Sequence, residues 1–228
     1  MNAPVDDLTA ALASHGIELP DGQVALVRRY CELLWEWNAR LNLTRHTDYE
    51  KFAARDVVDS LAFAAHLVPG EKILDVGTGG GVPGVLLAIL RPDLRVCLSE
   101  SVGKKARAVA DIVERLGLSV PVHHGRAEDL LPKSEFNSLV VRAVGTLKTL
   151  LTWLRPHWER FDRLLVLKGP AWAEERGEAR HYGLLHDLAL RKLISYPMPG
   201  TESESVLLQV CPSDRLEEGK TCRLRRVE

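Results

Sequence analysis

From residue 71 onward, short apolar runs of strand length alternate with longer runs of helical period. No other feature of the chain restricts its fold so strongly. The short runs fall at 72–76, 95–99, 120–124, 138–142 and 163–168, and the helical ones at 82–90, 104–116, 147–154 and 173–187. Parallel strands need a crossover between them, so this rhythm predicts a parallel sheet with helices on both faces. The chain then changes character. Residues 190–196 and 206–211, separated by the turn-rich 197–204, read as the two strands of a hairpin. The expected fold is α/β: a mostly parallel seven-stranded sheet closed by a C-terminal antiparallel hairpin.

Residues 1–69 lack that rhythm and read as an N-terminal helical extension. Val27, Tyr30, Cys31, Leu34, Trp37 and Leu41 keep a helical period, with Arg28, Arg29, Glu32 and Glu36 facing outward. A turn-prone break at 42–47 precedes a second helix, expected over 57–67 and ended by Pro69-Gly70. Trp35 and Trp37, two apart on one helix, cannot face the core equally; half-burial is the commoner outcome and base stacking the sharper one. Residues 70–212 form the expected α/β domain. Residues 213–228 read as a polar tail in which Arg223, Arg225 and Arg226 either face solvent or touch nucleic acid.

A chain of 228 residues buries one good core, and 27% charged with 46% apolar residues is an ordinary globular balance. Four scattered cysteines, Cys31, Cys97, Cys211 and Cys222, read as reduced core residues, with Cys222 in the tail as the exception. The longest apolar run is too short to span a bilayer, and Asp6 and Asp7 stand where a signal peptide carries positive charge. A soluble cytoplasmic protein is expected. A net charge of −1 neither supports nor excludes nucleic acid, because an RNA surface needs a local basic patch, not a basic total.

The first strand runs into Asp75, Val76 and a loop with glycines at 77, 79, 80, 81 and 84, followed by the apolar run 85–90. So many glycines allow positive φ and close approach of a ligand, and the helix start beyond offers N–H donors. A mononucleotide loop would need a lysine and a hydroxyl after Gly84, where Val85 and Leu86 stand. A dinucleotide fits better, since Gly79, Gly81 and Gly84 satisfy G-x-G-x-x-G and Glu100 follows at the distance, about 20 residues, of a ribose-binding acid. Asp75 at the loop opposes a diphosphate, and Pro83 removes a helix-start donor. S-adenosylmethionine has no phosphate and carries an ammonium and a sulfonium, which Asp75 can offset while Glu100 accepts the ribose hydroxyls. Charge and donors favour the methyl donor over the dinucleotide.

Several ordered motifs then resemble one family, the small-subunit ribosomal RNA methyltransferase G (glucose-inhibited division protein B) family. They are Asn38-Ala39-Arg40-Leu41-Asn42-Leu43-Thr44, Arg55 with Asp59-Ser60 (Asp56 in the usual histidine place), Asp75 to Gly84, and Ser99 to Lys105. Gly125-Arg126-Ala127-Glu128-Asp129, Val141-Arg142-Ala143 and Leu167-Lys168-Gly169 complete the set. The resemblance implies a Rossmann-like class I methyltransferase that modifies N7 of a guanosine in 16S rRNA. It places Gly77 and Val82 at the methionine and sulfonium end, Ala127 and Glu128 beside the adenine, and Arg142 at the mouth between cofactor and substrate.

The expected cofactor set is therefore Asp75, Gly77, Gly79, Val82, Glu100, Ala127, Glu128 and Arg142. For Arg142 a salt bridge competes with a cofactor carboxylate or RNA phosphate, which its planar guanidinium would grip in two places. Guanine N7 already exposes a lone pair, so no general base is expected and alignment carries the catalysis. The candidates for holding RNA are Arg45, Arg55, Lys104, Lys105, Arg126, Lys148 and Lys168, beside Arg142. Ribosomal RNA or the small subunit is the expected partner, with no metal, no membrane and a monomeric chain. The rivals are a nicotinamide-dependent oxidoreductase and a non-enzymatic rRNA-binding assembly factor.

Overall fold

The computed structural model describes residues 7–199, 202–216, 222–225 and 227. Chain order runs through helices α1 (Asp7–Ser14), α2 (Asp21–Asn38), the single turn α3 (Tyr49–Lys51) and α4 (Val58–Ala64). Next come β1 (Lys72–Val76), α5 (Gly84–Leu90), β2 (Arg95–Glu100), α6 (Gly103–Arg115), β3 (Val122–His124), α7 (Ala127–Leu130) and β4 (Phe136–Arg142). The chain continues through α8 (Leu147–Leu154), β5 (Phe161–Lys168), α9 (Trp172–His181), β6 (Leu188–Pro197) and β7 (Glu204–Pro212). The seven strands lie in the order β3-β2-β1-β4-β5-β7-β6. The first five are parallel, while β7 runs antiparallel to both β5 and β6. Both the parallel sheet and its closing hairpin are as expected from the alternation of runs.

Alternating strand residues feed two cores. Ile73 packs with α1, α2, α5 and α6 on one face of the sheet, and Leu74 and Val76 with α7, α8 and α9 on the other. The N-terminal extension thus shares a core with the sheet. Trp35 and Trp37 are half-buried and tied down: their indole N–H groups donate to the His46 carbonyl at 2.8 Å and to Asp111 at 2.7 Å.

Three local departures have physical causes. The last crossover helix stops at His181, because Gly183 at φ +67° supplies the left-handed residue that ends it. The helix expected over 57–67 begins at Tyr49 and passes through a π-helical turn, Phe52–Val57. The tail folds back on the amino-terminal ends of β4 and β5, away from the glycine loop. There the Arg225 amide donates to Asp162 at 2.9 Å, its side chain pairs with the same carboxylate, and Asn137 donates to the Arg225 carbonyl. Arg225 is therefore half-buried and lies away from the expected site, and Cys222 is buried like Cys31 and Cys211. Arg226 lies outside the described residues.

Candidate active site

Strand order reverses between β1 and β4, and in such sheets ligands bind beyond the carboxyl ends of the strands at that crevice. The glycine loop fills the end of β1. Gly77, Gly79 and Gly81 take φ of +70°, +59° and +110°, a region that an L side chain rarely enters. A Cβ at Gly84 would stand 2.2 Å from Leu98 Cδ2, so glycine there lets α5 lie against β2.

Most of the loop's own donors point inward, not toward a ligand. Gly77 and Thr78 amides donate to the Ser99 carbonyl, the Gly81 amide to Thr78, the Gly79 amide to Glu100 and the Gly84 amide to Asp75. The helix-start donor expected to face the cofactor is thus taken by Asp75, whose same oxygen also accepts the Thr78 hydroxyl at 2.6 Å. The other carboxylate oxygen of Asp75 is buried without a hydrogen-bond donor. Glu100 accepts from Gly79 at 2.9 Å and from Val102 at 2.8 Å, one bond per oxygen, which leaves a lone pair on each. Val82 is half-buried against the larger core cluster.

Burial pushes the Asp75 carboxyl up from 3.8 to about 6, against the pull of Thr78 and the Gly84 amide. The native chain then holds a proton between those two values that the unfolded chain has released, so stability falls as pH rises from about 4 to about 6. The loss is of order 3 kcal/mol by linkage. Asp75→Asn keeps an acceptor for Thr78 and Gly84 and should flatten this part of the profile in urea unfolding. Superimposable profiles for the two proteins would show that Asp75 is not the titrating group.

Two clefts open beside the loop. The smaller, about 140 Å³, is lined by Gly77, Ser99, Ala127, Glu128, Val144 and Trp153 among others. Ala127, Glu128 and Gly77 line this one cleft together. The larger, about 590 Å³, is bounded by Leu43, Arg45, His46, Arg55, Arg142 and Met198 among others. Ala143, at φ +58°, turns the chain sharply after β4 and also lines this cleft, a conformation that costs of order 1–2 kcal/mol for a residue with a Cβ.

Arg142 forms the competing salt bridge. Its guanidinium pairs with Asp59 at 2.9 Å and, more closely, with Asp56. Asp56 also meets His46 Nδ1 at 2.7 Å, and Asp59 accepts the Tyr196 hydroxyl at 2.7 Å. Burial works against the charge of Arg142, but Asp56 and Asp59 hold its pKa above the ordinary value; burial and Asp59 push the Tyr196 phenol up. The network joins β4 to the π turn and α4, the 42–47 segment and the hairpin strand β6. Sequence reasoning missed His46 and Tyr196 altogether; only the Asp59-Ser60 motif hinted at the acids.

The basic candidates divide. Arg45 and Lys104 are exposed, Arg55 and Lys105 half-buried, and none of the four makes an ion pair among the described residues. Arg126 is held by Glu128 at 2.7 Å, Lys148 by Glu178 at 3.0 Å and Lys168 by Glu175 at 2.8 Å. Lys168 also donates to the Gly145 carbonyl at 2.6 Å, so its charge braces the turn after β4. Among the described residues no helix is long and apolar enough to cross a membrane, and no group of three or more His, Cys, Asp or Glu side chains is placed to hold a metal.

Comparison with known proteins agrees with this fold. Solved structures share the fold: TrmK of M. capricolum, determined with S-adenosyl-homocysteine, aligns at TM-score 0.53 and 15% identity over 69% of this chain and 71% of its own. TrmN from Thermus thermophilus aligns at TM-score 0.53 and 18% identity over 78% and 52%. Sequence relatives are nearer. Ribosomal RNA small subunit methyltransferase G of Rhodopirellula baltica is 46% identical over 198 residues, 87% of this chain and 86% of the relative. The protein of that name from Chromobacterium violaceum is 33% identical over 90% and 96%. The family model described as rRNA small subunit methyltransferase G matches residues 23–195, which include the glycine loop, the smaller cleft and Arg142 with Asp56, Asp59 and His46, and stop just short of Tyr196. This chain belongs to the rRNA small subunit methyltransferase G family.

Proposed function

We propose that this chain transfers a methyl group from S-adenosylmethionine to N7 of a guanosine in small-subunit ribosomal RNA. One observation carries the choice of cofactor. The glycine loop spends the amides of Gly77, Thr78, Gly79, Gly81 and Gly84 on Asp75, Glu100 and backbone carbonyls, which takes away most of the donors a diphosphate would need and keeps two carboxylates at the crevice. A nicotinamide dinucleotide would meet those charges with its phosphates. A cationic ligand fits them: the undonated Asp75 oxygen accepts from an ammonium, directly or through one water, and the free lone pairs of Glu100 suit ribose hydroxyls. Glycine at 77 lets Val144 close over the loop at the smaller cleft, where a Cβ would stand 2.7 Å from Val144 Cγ2.

When bound, the cofactor supplies an electrophilic methyl on sulfur. The protein's part is placement. The smaller cleft takes the adenine beside Ala127 and Glu128, and the larger, open to solvent at Arg45 and Arg55, receives the extruded base. Guanine N7 needs no deprotonation, so alignment supplies the rate, worth roughly 7–11 kcal/mol when good. Arg45, Arg55, Lys104 and Lys105 hold flanking phosphates, and Arg142 acts through the walls it braces.

The deciding measurement is mass spectrometry of 16S rRNA fragments after incubation with isotopically labelled donor. A single labelled N7-methylguanosine is expected. Label at another atom would overturn the assignment of N7; absence of label, with rRNA still bound, would favour an assembly factor. Calorimetry separates the remaining rival, which requires saturable binding of a nicotinamide dinucleotide in place of S-adenosylhomocysteine.

A further inference from the structure

Helix α8 buries Leu147, Leu150, Leu151 and Leu154 against the sheet, yet leaves its largest side chain, Trp153, 37% exposed at the rim of the smaller cleft. An apolar ring of that size, left out of the core and set beside a cleft, is suited to cover a ligand. One face of the ring is already engaged. The Arg126 guanidinium carbon lies 4.8 Å from the ring centroid, and two nitrogens of the same group grip Glu128 at 2.7 and 3.0 Å. Arg126 belongs to the turn after β3 and Trp153 to α8, so this contact bridges the two sides of the cleft. An indole face and a guanidinium plane are the surfaces on which a purine stacks.

We propose that Trp153 is a positioning residue for the methyl donor: with Arg126 it forms a lid over the adenine, and the Arg126–Glu128 pair latches the turn that carries the lid. The proposal rests on the donor assignment above and adds to it the residue that fixes the base. Leaving the ring exposed costs core burial; shielding adenine from water is the return. It also gives Arg126 a task that its pairing with Glu128 permits, whereas a free phosphate contact would require breaking both bonds.

The test compares Trp153→Ala and Trp153→Phe with wild type, using the full chain. Calorimetric titration with S-adenosylhomocysteine should show about ten-fold weaker binding for Trp153→Ala and no more than about three-fold for Trp153→Phe. Inhibition by free adenosine should weaken in parallel, while KM for rRNA and kcat at saturating donor stay near wild type. Tryptophan fluorescence gives an independent reading: the change on adding S-adenosylhomocysteine should be present in wild type and largely absent from Trp153→Phe. Should Trp153→Ala fail to fold, that difference decides. Wild-type affinity in Trp153→Ala overturns the lid, and so does a raised KM for rRNA with unchanged donor affinity, which would make Trp153 an RNA-stacking residue. If wild type itself does not bind S-adenosylhomocysteine, the donor assignment falls and the lid with it.

Discussion

Replacing Arg142 with methionine should cost the protein about 3–5 kcal/mol of stability, the penalty for stranding buried charge. Asp56 and Asp59 are 1% and 2% exposed, and Arg142 is the fully charged group they share. Without it they keep His46 and Tyr196 as side-chain partners among the described residues, and two buried carboxylates lose the cation they share. The effect reads as a lowered urea midpoint with an unchanged slope. The decisive control is the triple variant Asp56→Asn, Asp59→Asn, Arg142→Met, which removes the stranded charges and should recover much of the loss. A cofactor- or RNA-binding arginine would behave otherwise: donor affinity or KM would suffer while the midpoint stayed within about 1 kcal/mol of wild type.

Gly77→Asp should have the larger effect on function. At φ +70° any side chain is strained, by about 1–3 kcal/mol, and a Cβ would stand 2.7 Å from Val144 Cγ2. The new carboxylate would stand in the lining of the smaller cleft. Donor affinity is expected to fall by more than about 100-fold, equivalent to about 2.8 kcal/mol, while the chain still folds because the strain is confined to the loop. Calorimetry against S-adenosylhomocysteine checks the first part and circular dichroism the second. Binding within about ten-fold of wild type would place the cofactor elsewhere.

The glycine loop was legible because its demands are local. Positive φ at Gly77, Gly79 and Gly81 depends on the absence of a Cβ, and that is visible in the residue itself. The direction in which the loop's amides point was not legible. Asp75 looked like an acid facing a ligand; it is first a buried acceptor for Thr78 and Gly84, with one oxygen to spare. The basic candidates show the same limit. Lys148 and Lys168 stand near strand ends as expected, but the acids that neutralise them, Glu178 and Glu175, come from α9, and nothing in either local sequence announces the pairing. The tail misled for a related reason: Arg225 reads as polar, while Asp162, at the start of β5, gives it a buried partner.

Sequence by itself determined the order and period of the elements, the parallel sheet with its closing hairpin, and a glycine-lined crevice at the end of β1. Those follow from sterics and hydrophobic period, which act between residues a few positions apart. Tertiary structure alone decided which charges remain available. It tied Arg142 between Asp56 and Asp59, joined them to His46 and Tyr196, introduced the π turn, and left Arg45, Arg55, Lys104 and Lys105 as cations without ion-pair partners among the described residues. Electrostatic pairing depends on distance through the folded molecule and on burial, and neither quantity exists until the chain has closed on itself.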